Sequence, residues 1–235
     1  MKHHTIRSIS IAAATLALAA SANALTIDWT RLVGTSSLAF SKDAIDLFKA
    51  NQGRVQALGN TTPVFEAGAT TAWSFVLPIT SITITPALKI GAGQASGSAL
   101  NIVRNVFDDE TGQVIKSGIY LANFTLDYTN KKVLADATTH GATTKPKFAV
   151  YDFNVATPLA LKYKFPLSIT GREVLNQLKL TPDAVTLFAV SLGLEGDAVL
   201  ATVRNTDFGT LTQDIAVKVR KPAVSKTPFV PPPAP

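Results

Sequence analysis

No cysteine occurs anywhere in the chain. Disulfides, thiol catalysis, cysteine-ligated zinc and iron–sulfur clusters are excluded with it. Stability must therefore come from a buried core, and a chain of about 200 residues buries roughly 70% of its unfolded surface. Histidine is nearly as scarce. Two of the three stand at positions 3 and 4, which leaves His140 alone in the body of the chain. A Ser–His–Asp triad needs its base beside an activated serine, but His140 lies in "TTHGATTKP", a loop without a nucleophile elbow. Zinc sites need several His, Cys or carboxylate ligands close together, and the chain does not supply them. Neither an enzyme nor a metal site is expected, and no residue is assigned a catalytic role. Basic residues are not clustered outside the C-terminal segment, so nucleic acid is not an expected partner.

Long apolar runs are missing as well. A bilayer span takes about 20 apolar residues, and the longest run, "ISIAAATLALAA", falls short of that. It follows the basic leader "MKHHTIR" and precedes "SANA", with small residues at Ala22 and Ala24. This order reads as a secretory signal over residues 1–24, cleaved before Leu25. Removal takes away Lys2 and Arg7 and no acid, lowering the formal charge from +6 to +4. The mature chain is expected to be exported to the periplasm, cell surface or medium. No transmembrane segment would remain, and any envelope or extracellular partner is unidentified.

Extended segments dominate what is present. "WSFVLPITSITI" carries Pro78, which suits a strand edge or a break between two short strands. "ALNIVRNVF", "VIKSGIYLANFTLDY", "KFAVYDFNVA", "ALKYKFPLSI", "AVLATVRN" and "TLTQDIAVKVR" also read as strands. "TPL" marks a break and "GAGQASG" a glycine-rich connection. Short strands at this spacing indicate an all-β fold, an antiparallel β-sandwich or barrel-like domain over residues 25–220. Three short capped helices join them. "SKDAIDLFKANQG" has Ser41 as cap, Asp43 in the first turn and Gly53 as stop. "TGREVLNQL" offers a Thr170–Glu173 capping box and a Val174, Leu175, Leu178 stripe. "TPDAVTLFAVSLG" has Thr181 as cap, Pro182 at the first helical position and Gly193 as stop. From Lys221, proline occupies six positions in "KPAVSKTPFVPPPAP". That segment reads as a disordered, solvated tail of polyproline character.

"FTLDYTNKKVLAD" folds back on itself as a hairpin. A two-residue loop at Asn130-Lys131 pairs Tyr128 with Val133, Leu126 with Ala135 and Phe124 with Ala137, making one face apolar. A four-residue loop is the alternative. The hairpin resembles the HtaA-type domain of secreted bacterial haem-capture proteins. It has that family's "NF-x-(I/L)-D" strand in Asn123, Phe124, Leu126 and Asp127, then an "xLxA" return in Leu134 and Ala135. "FVLPIT" and the capped helix after "LAF" stand in the family's order, and the similarity spans Leu25 to Arg204. The family's aromatic opening with its Tyr ligand is reduced here to "IDWTRL". The resemblance implies a related fold, with haem capture as one functional expectation.

Candidate sites are few. Asp108, Asp109 and Glu110 lack the alternating ligand spacing of a calcium loop and read as a hairpin turn. "GAGQASGS" lacks the lysine and following helix of a phosphate loop. Haem iron can be held by Tyr as well as His, so Tyr120, Tyr128, His140 and Tyr151 are the ligand candidates. Tyr120 and Tyr128 share the strand parity of Phe124 and would face the core as packing residues. Trp29 and Trp73 read as core or rim anchors. Two functions follow: a non-catalytic envelope or extracellular protein with a structural or adhesive role, needing no cofactor, or a small-ligand capture module with haem as the specific candidate.

Overall fold

The computed structural model describes residues 24–233, apart from 88, 109, 111 and 165–167. Residues 1–23 of the expected leader lie outside the described residues. In chain order the elements are β1 (Leu25–Asp28), β2 (Leu32–Phe40), α1 (Lys42–Ala50), β3 (Gly53–Gly59), β4 (Thr62–Val64) and β5 (Ser74–Pro78). Then come β6 (Ser81–Ile84), β7 (Ile90–Asp108), β8 (Gln113–Asp127), β9 (Lys132–Thr139) and β10 (Lys145–Lys164). β11 (Ser168–Leu180), α2 (Pro182–Leu192), α3 (Asp197–Asn205) and β12 (Gly209–Val219) complete the chain. The strands form one antiparallel sheet in the order β1-β6-β7-β8-β9-β10-β11-β12-β2-β5-β4, curled into a half-barrel. β8 runs along one edge of β7; the other edge carries β6 at its start and β3 further along. The barrel-like all-β architecture is thus the one the strand spacing implies, and two of its three helices, α1 and α2, stand where the sequence places them.

Alternation aims each strand. Ser36, Leu38 and Phe40 of β2 are buried, with half-exposed residues between them. The main core lies inside the curl, and α1, α2 and α3 cover one end of it. At that end Phe40 meets Phe48, Trp73 and Phe75 edge-on, with centroids 5.3, 6.5 and 6.1 Å apart. Such pairs add to their area burial through the ring quadrupole. A smaller cluster of Trp29, Ile79 and Ile82 sits at the opposite end. Gly34 is required there, because a Cβ would stand 2.7 Å from the Trp29 indole nitrogen.

The caps of α1 and α2 form as their sequences require. Ser41 accepts from the Ala44 amide at 3.0 Å, and Thr181 from the Ala184 amide at 3.2 Å. Gly193 ends α2 in the left-handed region, at φ 60°. Gly53, however, opens β3. α1 stops at Ala50, and Gln52 takes the positive φ of 56°.

Several sequence readings are corrected, and one left open is settled. "TGREVLNQL" is strand β11, not a helix: Glu173 and Leu175 face inward two residues apart, then Leu178 and Leu180 do so. The three-residue step from Leu175 to Leu178 imitates helical spacing, but it is a β-bulge at Gln177, φ 53°. Conversely, "AVLATVRN" is helix α3, which puts Val199 and Val203 one turn apart against the core. Its N-cap is Gly196, which offers no side chain to signal a start. "GAGQASG" and "TPL" are not breaks but parts of the long strands β7 and β10. The β8–β9 hairpin has the four-residue loop, with Leu126 opposite Val133 and Asp127 opposite Lys132. Asp127 Oδ1 accepts from the Thr129 and Asn130 amides, both at 3.0 Å, and Lys131 takes the positive φ. The pairing is displaced by two positions from the tighter hairpin, so side-chain parity survives.

The C-terminal segment is largely exposed, as its composition implies, but it is tied to the sheet at defined points. Arg220 N donates to Arg31 O at 2.8 Å and Val224 N to Thr30 O at 3.1 Å. The chain then runs on across the sheet as far as Phe229, where it meets the Asn123 side chain. Composition could not foresee this, since the partners are backbone carbonyls and two distant asparagines.

Candidate functional site

The open end of the half-barrel is made by strands that outrun their neighbours. β9 pairs with β10 only from Lys145 to Asp152, whereas β10 continues beside β11 to Lys164. The β10–β11 hairpin therefore projects as one wall. β1, β6 and the start of β7 form the other, joined in the order β1-β6-β7. Between the walls lies a cleft of about 730 Å³, lined by Ile27, Trp29, Ile84, Ile90, Leu161, Ile169 and Ile215 among others. Its rim stays exposed: Leu161 retains 65% of its surface and Ile169 39%. Lys89 is the basic side chain in the lining.

A polar pair sits at the floor. Tyr128 opens the loop that follows β8 and Glu173 lies on the inward face of β11, and the Tyr128 hydroxyl donates to Glu173 Oε2 at 2.6 Å. Glu173 is only 6% exposed. Burial pushes its carboxyl above the ordinary carboxylate value, although the Tyr128 hydroxyl and the Leu159 amide both favour the charged form. Burial and the neighbouring carboxylate together hold the Tyr128 phenol far above its usual range. Deeper in, a small void lined by Ile79, Gly93, Glu173 and Gln213 adjoins the cleft, and a second reaches Tyr151 and Leu178. Gln213 Nε2 donates to Ser36 Oγ at 2.8 Å, so the buried amide is satisfied. An apolar opening with one polar pair at its base can seat a hydrophobic molecule and fix its orientation.

No family model matches the chain, and no curated protein matches it. Among solved structures, it shows a distant structural resemblance to the C-terminal domain of HtaA from Corynebacterium glutamicum. Identity is 13% and the TM-score 0.46, over 80% of this chain and 99% of that one.

The four candidate ligand residues take different places. Tyr120 and His140 come together on the outer face of the sheet, their ring centroids 4.6 Å apart and their planes at 32°. His140 lies over Gly118, where a Cβ would come within 2.5 Å of its ring. Its Nε2 donates to Asn101 Oδ1 at 2.8 Å, and burial lowers its pKa. Tyr128 faces the cleft, as above. Tyr151 is buried in the core, 5.5 Å from the Phe208 ring, and burial raises its pKa steeply. Tyr120 thus departs from its expected parity. Asn123 takes φ 53° in a bulge between Ala122 and Thr125, so Ile119 and Leu121 face inward before it and Phe124 and Leu126 after it. Glu173 escaped the sequence reading because its capping-box role was plausible. The alternation of "REVL" was the signal that could have placed it inward. Among the described residues, no group of three His, Asp or Glu is placed to hold a metal ion.

Proposed function

We propose that this chain is an exported, non-catalytic binding protein whose half-barrel mouth captures an apolar small molecule carrying a carboxylate. The carrying observation is the open apolar cleft with the Tyr128–Glu173 pair at its base and Lys89 at its side. Exposed contiguous apolar surface of this kind costs solubility and persists where something is bound. Lys89 supplies the charge that a ligand carboxylate would meet. A structural or adhesive role, the other expectation from composition, draws on no particular residue.

Tetrapyrroles belong to this ligand class, and haem is the member to which the sequence resemblance points. The cleft suits the macrocycle better than the iron. The Tyr128 hydroxyl is committed to Glu173, and its raised pKa disfavours the phenolate that iron would need. A second reading rests on the outer face, where Tyr120 stands beside His140 as an iron-binding tyrosine with a neighbouring base.

Hemin and metal-free protoporphyrin titrations separate the readings. Trp29 lines the cleft, so its emission in a Trp73→Phe background reports occupancy. For the cleft, both porphyrins should quench Trp29, and Ile169→Asp, which sets an acid against both the apolar body and the carboxylate, should abolish the effect. Binding at Tyr120 would be confined to hemin, shift its Soret band and vanish in Tyr120→Phe. A free-hemin spectrum together with unchanged Trp29 emission overturns tetrapyrrole capture in both forms.

A further inference from the structure

Three strands of the sheet break register at the same level. β7 does so between Ala95 and Ala99, with Gly97 at φ 75°; β8 at Asn123; and β10 between Lys145 and Phe148, with Lys147 at φ 47°. Each bulge frees backbone groups from the ladder. Side chains recover them: Gly97 N donates to Asn123 Oδ1 at 3.0 Å, Asn123 Nδ2 to Asp136 Oδ2 at 2.9 Å, and Lys147 N to Asp136 Oδ1 at 2.9 Å. Asn123 also has capacity left over. Its Oδ1 accepts from Phe229 N at 2.8 Å and its Nδ2 donates to Phe229 O at 3.0 Å. One amide thereby meets both backbone groups of one residue, as a partner strand would.

The rest of the segment is read just as closely. Asn60 Nδ2 donates to Ser225 O at 2.7 Å, and Lys226 Nζ stands 3.0 Å from Asp28 Oδ2. A Cβ on Gly97 would come within 2.8 Å of Thr227 O, and one on Gly59 within 3.1 Å of the Phe229 ring. The sheet itself already requires both glycines, at φ 59° and 75° and with Gly97 O 2.0 Å from a Cβ on Gly59. The bare backbone they leave is the surface on which Thr227 and Phe229 lie. Pro228 holds Thr227 extended, which suits a row of backbone contacts.

We propose that Asn60, Asn123, Gly59 and Gly97 form a peptide-binding site for an extended Ser-Lys-Thr-Pro-Phe segment, occupied in cis by the chain's own C-terminus. The ligand class is a proline-containing strand with a basic residue two positions before the proline and an aromatic one after it. The asparagine amides read its backbone, the glycine floor admits the ring, and Asp28 selects the cation. Because the segment joins the body through an exposed stretch at Lys221–Ala223, it can leave the site without unfolding the sheet, and the vacated site accepts an equivalent peptide in trans.

The test uses the full-length chain and a fluorescent peptide covering Lys221–Pro235. Phe229→Ala in the chain weakens the cis segment alone, so this variant should bind the peptide about tenfold more tightly than the unsubstituted chain does. Adding Asn123→Gly, which keeps the positive φ but removes the amide, should abolish that binding while the circular dichroism spectrum is retained. Should Asn123→Gly fail to fold, Asn60→Ala provides the same reading. In hydrogen exchange the Phe229 amide should be protected in the unsubstituted chain and lose protection in Asn123→Gly. Equal peptide binding by the unsubstituted and Phe229→Ala chains, no binding by either, or a Phe229 amide exchanging at random-coil rate overturns the proposal.

Discussion

The two ends of the half-barrel are built from the same strands and finished in opposite ways. β2 runs from Leu32 beside the cleft to Phe40 in the aromatic cluster, and β12 from Gly209 at the helical end to Val219 at the mouth. At the helical end, α1, α2 and α3 close over Phe40, Phe48 and Phe208, which are nearly inaccessible. At the mouth, Leu25, Leu161, Val217 and Val219 remain largely exposed. The strand overhang contributes little to the core, so folding alone gives no reason for its apolar character. An unprotected apolar edge invites aggregation, and a bound molecule is one way to remove that hazard. One end holds the fold and the other stays open.

The sharpest way to break this contrast is to damage the closed end. Phe208 is 2% exposed and touches Phe48 and Tyr151 with ring centroids at 6.3 and 5.5 Å. Phe208→Ala should cost about 3–5 kcal/mol in denaturant unfolding, the usual cost of emptying a buried aromatic site. A loss below about 1 kcal/mol would mean that the helical end does not anchor the fold.

The floor of the cleft lies between the two regimes. Tyr128→Phe leaves a buried Glu173 without its hydroxyl donor and should cost about 1–3 kcal/mol. Glu173 also sets a pH dependence. Burial disfavours its charged form in the fold, so its favourable contribution is complete below the ordinary carboxyl value of 4.5 and is lost as pH rises through the elevated folded value. Asp46 and Asp127, with lowered values, act in the opposite sense. The readout is therefore a difference: Glu173→Gln should gain thermal stability relative to the parent as pH rises from 4 to 8. A constant offset across that range would place Glu173 in water rather than at a buried floor.

Much of this contrast was legible in the sequence. Hydroxyl caps, Pro182 and Gly193 mark α1 and α2 through local hydrogen bonding, and alternation marks the strands. The strand positions that were not legible share one cause. Asn123, Lys147 and Gln177 take positive φ without being glycine, and bulges at these positions reverse parity without a sequence signal. Plain alternation therefore puts Tyr120 on the wrong face, and the step across Gln177 gives β11 the spacing of a helix. The pairing of Tyr120 with His140 across β8 and β9 depends on long-range register, as does the meeting of Tyr128 with Glu173, 45 residues apart. Residue types suggested the first pair as candidates; no local rule joins the second.

The smallest expected effect on stability falls at the mouth, and there it is most informative. Leu161 is 65% exposed on the projecting hairpin, so Leu161→Asp should move the unfolding free energy by no more than about 0.5 kcal/mol. The same change places a negative charge in the cleft wall, against both an apolar ligand and its carboxylate. Porphyrin quenching of Trp29 should then disappear while the unfolding midpoint stays put, the reverse of what Phe208→Ala does to stability. If Leu161→Asp instead destabilises the protein by several kcal/mol, the overhang is core rather than an opening, and the distinction between a folding end and a binding end fails.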